Sequence, residues 1–167
     1  MLILDTNIIL DLFVFNDPDL ASRKPALLAG LENKQLNWIA TTDMRIELER
    51  VLTYPKITPR MTFYQVTADD VLAKFDQLAT LVDPAPKAKW ICKDPDDQRF
   101  IDLAVQHKAT LLSKDQAVLS MAKRMTALGA AARAAPRNWS SPRRASIRRW
   151  RGSARCAAAS AAARSST

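Results

Sequence analysis

A chain of 167 residues suits one domain, large enough to bury about two thirds of the surface its unfolded form exposes. No apolar stretch reaches the roughly 18 residues of a membrane span, Cys92 and Cys156 lack the spacing of a disulfide framework or zinc site, and an apolar run beginning at residue 2 leaves no room for a secretory leader. The expectation is a cytoplasmic protein with no membrane association. The net charge of +8 is uneven: residues 1–122 hold 14 Lys and Arg against 17 Asp and Glu, a balance of −3, and the other 11 basic residues follow with no acid among them. Any inference from basicity to nucleic acid therefore concerns the C-terminal part alone.

Residues 1–4 read as a short buried strand and Ile8 to Phe13 as an apolar helical turn. Asn16-Asp17-Pro18-Asp19 is a turn cluster. A helix from Ser22 to Leu31 follows, with Ser22 as N-cap and Pro25 in the first turn, where proline is tolerated. Leu36 to Ala40 is a second strand, and Thr42 or Asp43 caps the helix that carries Glu47 and ends at Tyr54-Pro55. Thr67-Ala68-Asp69-Asp70 opens a helix running to Leu81. An irregular stretch with Pro84, Pro86 and Pro95 leads to a helix from Asp97 to Lys108, a strand from Ala109 to Ser113 and a helix from Gln116 to Leu128.

Strands alternating with helices, without hairpin signals, predict an α/β fold: a three-layer α/β/α sandwich on a parallel sheet of four or five strands. The predicted domain spans residues 1–129. Residues 130–167 are mostly Ala, Arg and Ser, a low-complexity tail with no period that builds a core. Lys-free, Arg-rich sequence of this kind is what a GC-rich gene yields when read in a shifted frame. A tail with nine arginines and no acid is expected to contact phosphates without reading sequence.

Four acids carry the chemistry: Asp5, Glu47, Asp97 and Asp115. Asp5 ends the run Met1-Leu2-Ile3-Leu4, and Asp115 follows Leu111-Leu112. Glu47 shares a helix face with Met44, Leu48 and Val51, whereas Glu49 points nearly the other way. Asp97 keeps the phase of Phe100, Ile101 and Ala104. Each has a plainer reading: Asp5, Asp97 and Asp115 as helix N-caps, Glu47 as a stripe-edge acid paired with Arg45 or Arg50. Strand ends and helix starts share one edge of a parallel sheet, however, and such folds bind ligands there. Four carboxylates on that edge would repel one another unless a hard divalent cation, Mg²⁺ or Mn²⁺, joined them. The lone His107 suits a helix C-terminus, no serine–base pair is present, and three glycines cannot build a phosphate loop.

With those residues in hand the chain resembles the PIN-domain family. Leu4-Asp5-Thr6-Asn7 matches the family's opening, Glu47 within Arg45-Ile46-Glu47-Leu48-Glu49-Arg50 its second acid, Asp94-Pro95-Asp96-Asp97-Gln98-Arg99-Phe100-Ile101 its third, and Ser113-Lys114-Asp115 its fourth. The likeness covers residues 1 to about 128 and is closest to the toxins of bacterial toxin–antitoxin pairs. Lys114 replaces the usual Gly, Ala117 a frequent further acid, and the family's closing edge strand is not legible here unless Ala130 to Pro136 supplies it.

The resemblance implies a metal-dependent ribonuclease. Asp5, Asp97 and Asp115 would hold one or two Mg²⁺ or Mn²⁺ ions, with Glu47 completing the site. Thr6, Asn7 and Ser113 would orient the carboxylates, with Asp94 further out. Lys93, Arg99 and Lys114 are either phosphate contacts or ordinary surface charges. The partners implied are RNA, a cognate antitoxin and a second copy of the chain. A housekeeping RNA-processing or DNA-directed nuclease, and an inactive PIN-like binding module, remain alternatives.

Overall fold

A computed structural model describes residues 1–15 and 24–134. The turn cluster at 16–19, the Ser22 cap and the tail from residue 135 lie outside the described residues. In chain order the elements are β1 (Leu2–Leu4), α1 (Thr6–Phe13), α2 (Lys24–Glu32), β2 (Trp38–Ala40), α3 (Thr42–Leu52), α4 (Thr58–Phe63), α5 (Ala68–Leu78), β3 (Ala79–Leu81), a 3-10 turn (Pro95–Asp97), α6 (Gln98–Gln106), β4 (Thr110–Ser113), α7 (Gln116–Ser120), α8 (Ala122–Ala127) and β5 (Ala131–Ala134). The five strands form one sheet in the order β3-β2-β1-β4-β5, and every neighbouring pair is parallel. The fold is thus the expected α/β architecture with five strands.

Parallel strands need crossovers, and crossovers are right-handed almost without exception. From β1 the chain steps through β2 to β3 in one direction, then returns past β1 to β4 and β5 in the other. Helices of the first half therefore cover one face and those of the second half the opposite face. The direction of winding reverses between β1 and β4, and that point lies at the centre of the sheet. The central strands are correspondingly buried: Ile3, Leu4, Trp38, Ile39 and Leu111 are at most 2% exposed. Trp38 meets Phe75 of α5 edge to face with ring centroids 4.9 Å apart, fastening that helix to the sheet.

Local signals account for most boundaries. Thr67 and Asp70 form a reciprocal capping box at the start of α5. The cap of α3 is Thr41, whose hydroxyl accepts from the Met44 N–H at 3.4 Å, one residue before the expected Thr42 and two before the expected Asp43.

Four departures have physical causes. The helix expected to reach Leu81 stops at Leu78, and Ala79–Leu81 pairs instead with Trp38–Ala40 as an edge strand. Residues 58–63 form α4, too short for a helical period to show in sequence. The helix expected over 116–128 breaks at Met121, where the Ser120 hydroxyl donates to the Ala117 carbonyl at 2.7 Å and competes with the helical ladder.

The fourth departure extends the fold past Gly129, which ends α8 at φ +81°, a left-handed conformation suited to glycine. The chain then turns into β5, which pairs in register with β4 from Thr110↔Ala131 to Ser113↔Ala134. Ala131–Ala134 thus supplies the edge strand that the composition concealed. Among the described residues no helix is long and apolar enough to cross a membrane.

Candidate active site

Asp5 and Asp115 leave the two central strands at the point where the winding reverses. Asp5 directly follows β1, and its backbone N–H still donates to the Leu112 carbonyl at 3.0 Å. It occupies the N-cap position of α1, yet its side chain makes no capping hydrogen bond. Instead Asp5 Oδ2 accepts from Ser113 Oγ at 2.6 Å and from Asn7 Nδ2 at 2.8 Å. The Ser113 hydroxyl in turn accepts from the Asp115 N–H at 2.9 Å, so one fully buried oxygen ties the end of β1 to the loop after β4. Thr6 is buried beside this group as the first residue of α1. Asp115 does cap its helix, accepting from the Ala117 N–H at 2.7 Å.

Asp97 sits at the end of the 3-10 turn that opens α6. It is 3% exposed and also makes no capping bond, because Asp94 caps that turn by accepting from the Asp96 N–H at 3.1 Å. Glu47 is likewise 3% exposed on α3, in the stripe with Met44, Leu48 and Val51, while Glu49 is exposed. Its ion pair crosses to another helix: Arg99 of α6 approaches Glu47 Oε2 at 3.2 Å. Arg45 turns to α5, where its guanidinium donates to both Asp76 oxygens at 2.6 and 2.7 Å. The Arg99–Glu47 pair joins helices from opposite faces of the sheet.

The three basic candidates divide accordingly. Lys93 is exposed. Arg99 carries the Glu47 contact, and Lys114, mostly buried, donates to Asp11. Asp11 did not emerge from the sequence reading. It is 1% exposed on α1 and is the only charge in Thr6–Phe13, the one signal that could have revealed it.

Further side chains complete the wall beside Asp97. Gln98 Oε1 accepts from the Cys92 N–H at 2.5 Å, and its Nε2 donates to Asp102 Oδ1 at 2.5 Å and to the Trp90 carbonyl at 3.2 Å. Asp102 also accepts from the Ala88 N–H at 2.9 Å. Gln98 and Asp102, one helical turn apart, thereby fix the proline-rich loop onto α6. Burial pushes the Cys92 thiol above its ordinary value; the Asp94 backbone N–H offsets part of this, and the carboxylates of Asp97, Asp94 and Asp115 add to the rise.

The donors suit a hard divalent cation in kind, being carboxylates and an amide oxygen. Asn7 Oδ1 is a buried acceptor with no hydrogen-bond partner among the described residues, next to the carboxylate that Asn7 Nδ2 holds. Among the described residues no three His, Cys, Asp or Glu side chains gather closely enough to enclose an ion. Mg²⁺ is commonly held by one or two carboxylates with water filling the other positions, which is the arrangement this edge can offer.

The chain is an α/β protein on a doubly wound parallel sheet, with Asp5 and the Asp115 loop at the ends of the two strands where the winding reverses. A family model described as PIN domain matches residues 1–117, which include all four acids. The chain belongs to the PIN-domain family, whose members are generally nucleases that use divalent metals. Searches of curated proteins and of solved structures gave no significant match.

Proposed function

We propose that the protein is a Mg²⁺- or Mn²⁺-dependent endoribonuclease acting in the cytoplasm, the toxin of a toxin–antitoxin pair. One observation carries the reading furthest. Asp5 and Asp97 both stand at helix N-cap positions, yet both carboxylates are buried and neither caps its helix. Capping is the ordinary reason for an aspartate at such a position, and it accounts for neither carboxylate. Here the role assigned is to bind a cation at the sheet's ligand edge.

In this reading Asp5 holds the ion in the orientation that Ser113 and Asn7 impose. Asp97 and Asp115 act from the start of α6 and the loop after β4, and Asn7 Oδ1 offers a further acceptor. A divalent ion would supply an acidified water and stabilise charge developing on the phosphate. Glu47 keeps Arg99 at the edge, where the guanidinium can meet a phosphate oxygen. The Asp11 contact draws the Lys114 side chain onto α1. An antitoxin would silence the site by covering this edge, and the active form would be a homodimer.

A second reading has its own support. Cations already engage Glu47 and Asp11, and Lys114 stands where the family usually has glycine. Those features suit a PIN-like module that binds RNA or a partner without cleaving. Purified full-length protein on labelled single-stranded RNA separates the two. Cleavage with Mn²⁺ that chelator abolishes and Asp5→Asn removes supports the nuclease, whereas binding without cleavage at any metal concentration supports the module. A neighbouring antitoxin gene would favour the toxin over a housekeeping nuclease.

A further inference from the structure

We propose that Trp90 is a stacking platform for a base of single-stranded RNA, set on the wall of the acidic edge; the choice of ligand rests on the ribonuclease reading. Trp90 is 38% exposed and the adjacent Ile91 76% exposed. Large apolar side chains turned to water on an irregular loop call for a partner. The loop is not loosely held. Its carbonyl at Trp90 and N–H groups at Ala88 and Cys92 bond to Gln98 and Asp102, both buried on α6. The indole is therefore pre-positioned, which lowers the entropy lost when a ligand docks on it.

Charge selects the ligand. Lys89 Nζ lies over the Trp90 ring 5.5 Å from its centroid, and Arg124 Cζ of α8 lies over it at 5.4 Å. An incoming base takes the place of a cation that then meets its phosphate. Lys93 is exposed three residues further along. A flat aromatic with cations held over it matches a base and its phosphates, the pairing by which single strands are bound irrespective of sequence. The same loop reaches the acids through Gln98, which follows Asp97 in the chain and bonds both the Cys92 N–H and the Trp90 carbonyl. A strand stacked on Trp90 would thus have its backbone beside the carboxylate edge. A duplex, with its bases already stacked, gains nothing from the ring.

The test uses full-length protein with chelator, so that binding is read without cleavage. A fluorescein-labelled oligouridylate is titrated by anisotropy at raised salt, which suppresses sequence-independent phosphate binding. Trp90→Ala should weaken binding on the order of tenfold and Trp90→Phe much less, with duplex RNA binding unchanged in both. Equal affinity of wild type and Trp90→Ala would overturn the platform and leave the ring as a contact for protein. Should Trp90→Ala not fold, photo-cross-linking of a 4-thiouridine strand to the wild-type chain decides. Label on the peptide containing residues 88–93 supports the platform, and label only elsewhere rejects it. Cleavage with Mn²⁺ is scored separately. Trp90-dependent binding without cleavage keeps the platform and rejects the ribonuclease. Cleavage with a KM indifferent to Trp90→Ala does the reverse.

Discussion

Replacing Ser113 by alanine should damage both stability and the site, by an amount the contacts allow one to work out. The hydroxyl is 0% exposed, donates to Asp5 Oδ2 at 2.6 Å and accepts from the Asp115 N–H at 2.9 Å. A hydrogen bond to a charged group contributes about 1.5–3 kcal/mol, and a buried N–H deprived of its acceptor costs about 1–3 kcal/mol more unless water replaces it. The two losses overlap, because removing one oxygen lets the Asp5–Asp115 loops relax together. A net loss of about 2–4 kcal/mol follows, or a fall in Tm of roughly 6–12 °C for a chain of this size. Urea unfolding and thermal melts of wild type and Ser113→Ala measure it. Ser120→Ala is the control: its hydroxyl touches only a helix carbonyl and should change stability by less than about 0.5 kcal/mol. In an Asp5→Asn background the Ser113→Ala loss should shrink, since the charge that strengthens the bond is gone. A Ser113→Ala protein as stable as wild type would refute the claim that this hydroxyl holds the two acids in place.

Truncation tests the position of the last strand. Ending the chain at Leu128 removes β5 and should lower the melting temperature markedly, whereas ending it at Ala134 should not; equal melting of the two would show that β5 is dispensable. Arg45 holds the Asp76 carboxyl below the usual carboxylate range through its hydrogen bonds. A carboxyl so depressed contributes stability above about pH 4 and loses it as pH falls through its folded-state value. Arg45→Ala should therefore cost up to about 1 kcal/mol at neutral pH, as for an exposed pair, and progressively less as pH falls through the folded-state value of Asp76. Glu47→Gln should abolish cleavage and Glu49→Gln leave it intact, and equal losses would undo the argument from helical phase.

The acids were legible because burial and chain position leave marks in sequence. Glu47 lies in an apolar phase and Glu49 does not, and their exposures differ accordingly. Asp5 and Asp115 close apolar runs that are central strands. What sequence left undecided was whether each aspartate capped a helix, because capping depends on side-chain direction: Asp115 caps, Asp5 and Asp97 do not. The pairing of Arg99 with Glu47 and of Lys114 with Asp11 links segments 52 and 103 residues apart, which no local pattern encodes. β3 and β5 were missed for a related reason. Strands of three and four residues at sheet edges bury little, so neither carries an apolar run.

The central claim is that the carboxylates at the edge between β1 and β4 hold a divalent cation. Calorimetric titration of Mn²⁺ into metal-free wild-type protein and into Asp5→Asn tests it most directly, with circular dichroism confirming that both are folded. Saturable binding of one or two ions to wild type is expected, with at least one of them, or most of the affinity, lost in Asp5→Asn. Identical isotherms for the two proteins, or no saturable binding to wild type, would contradict it.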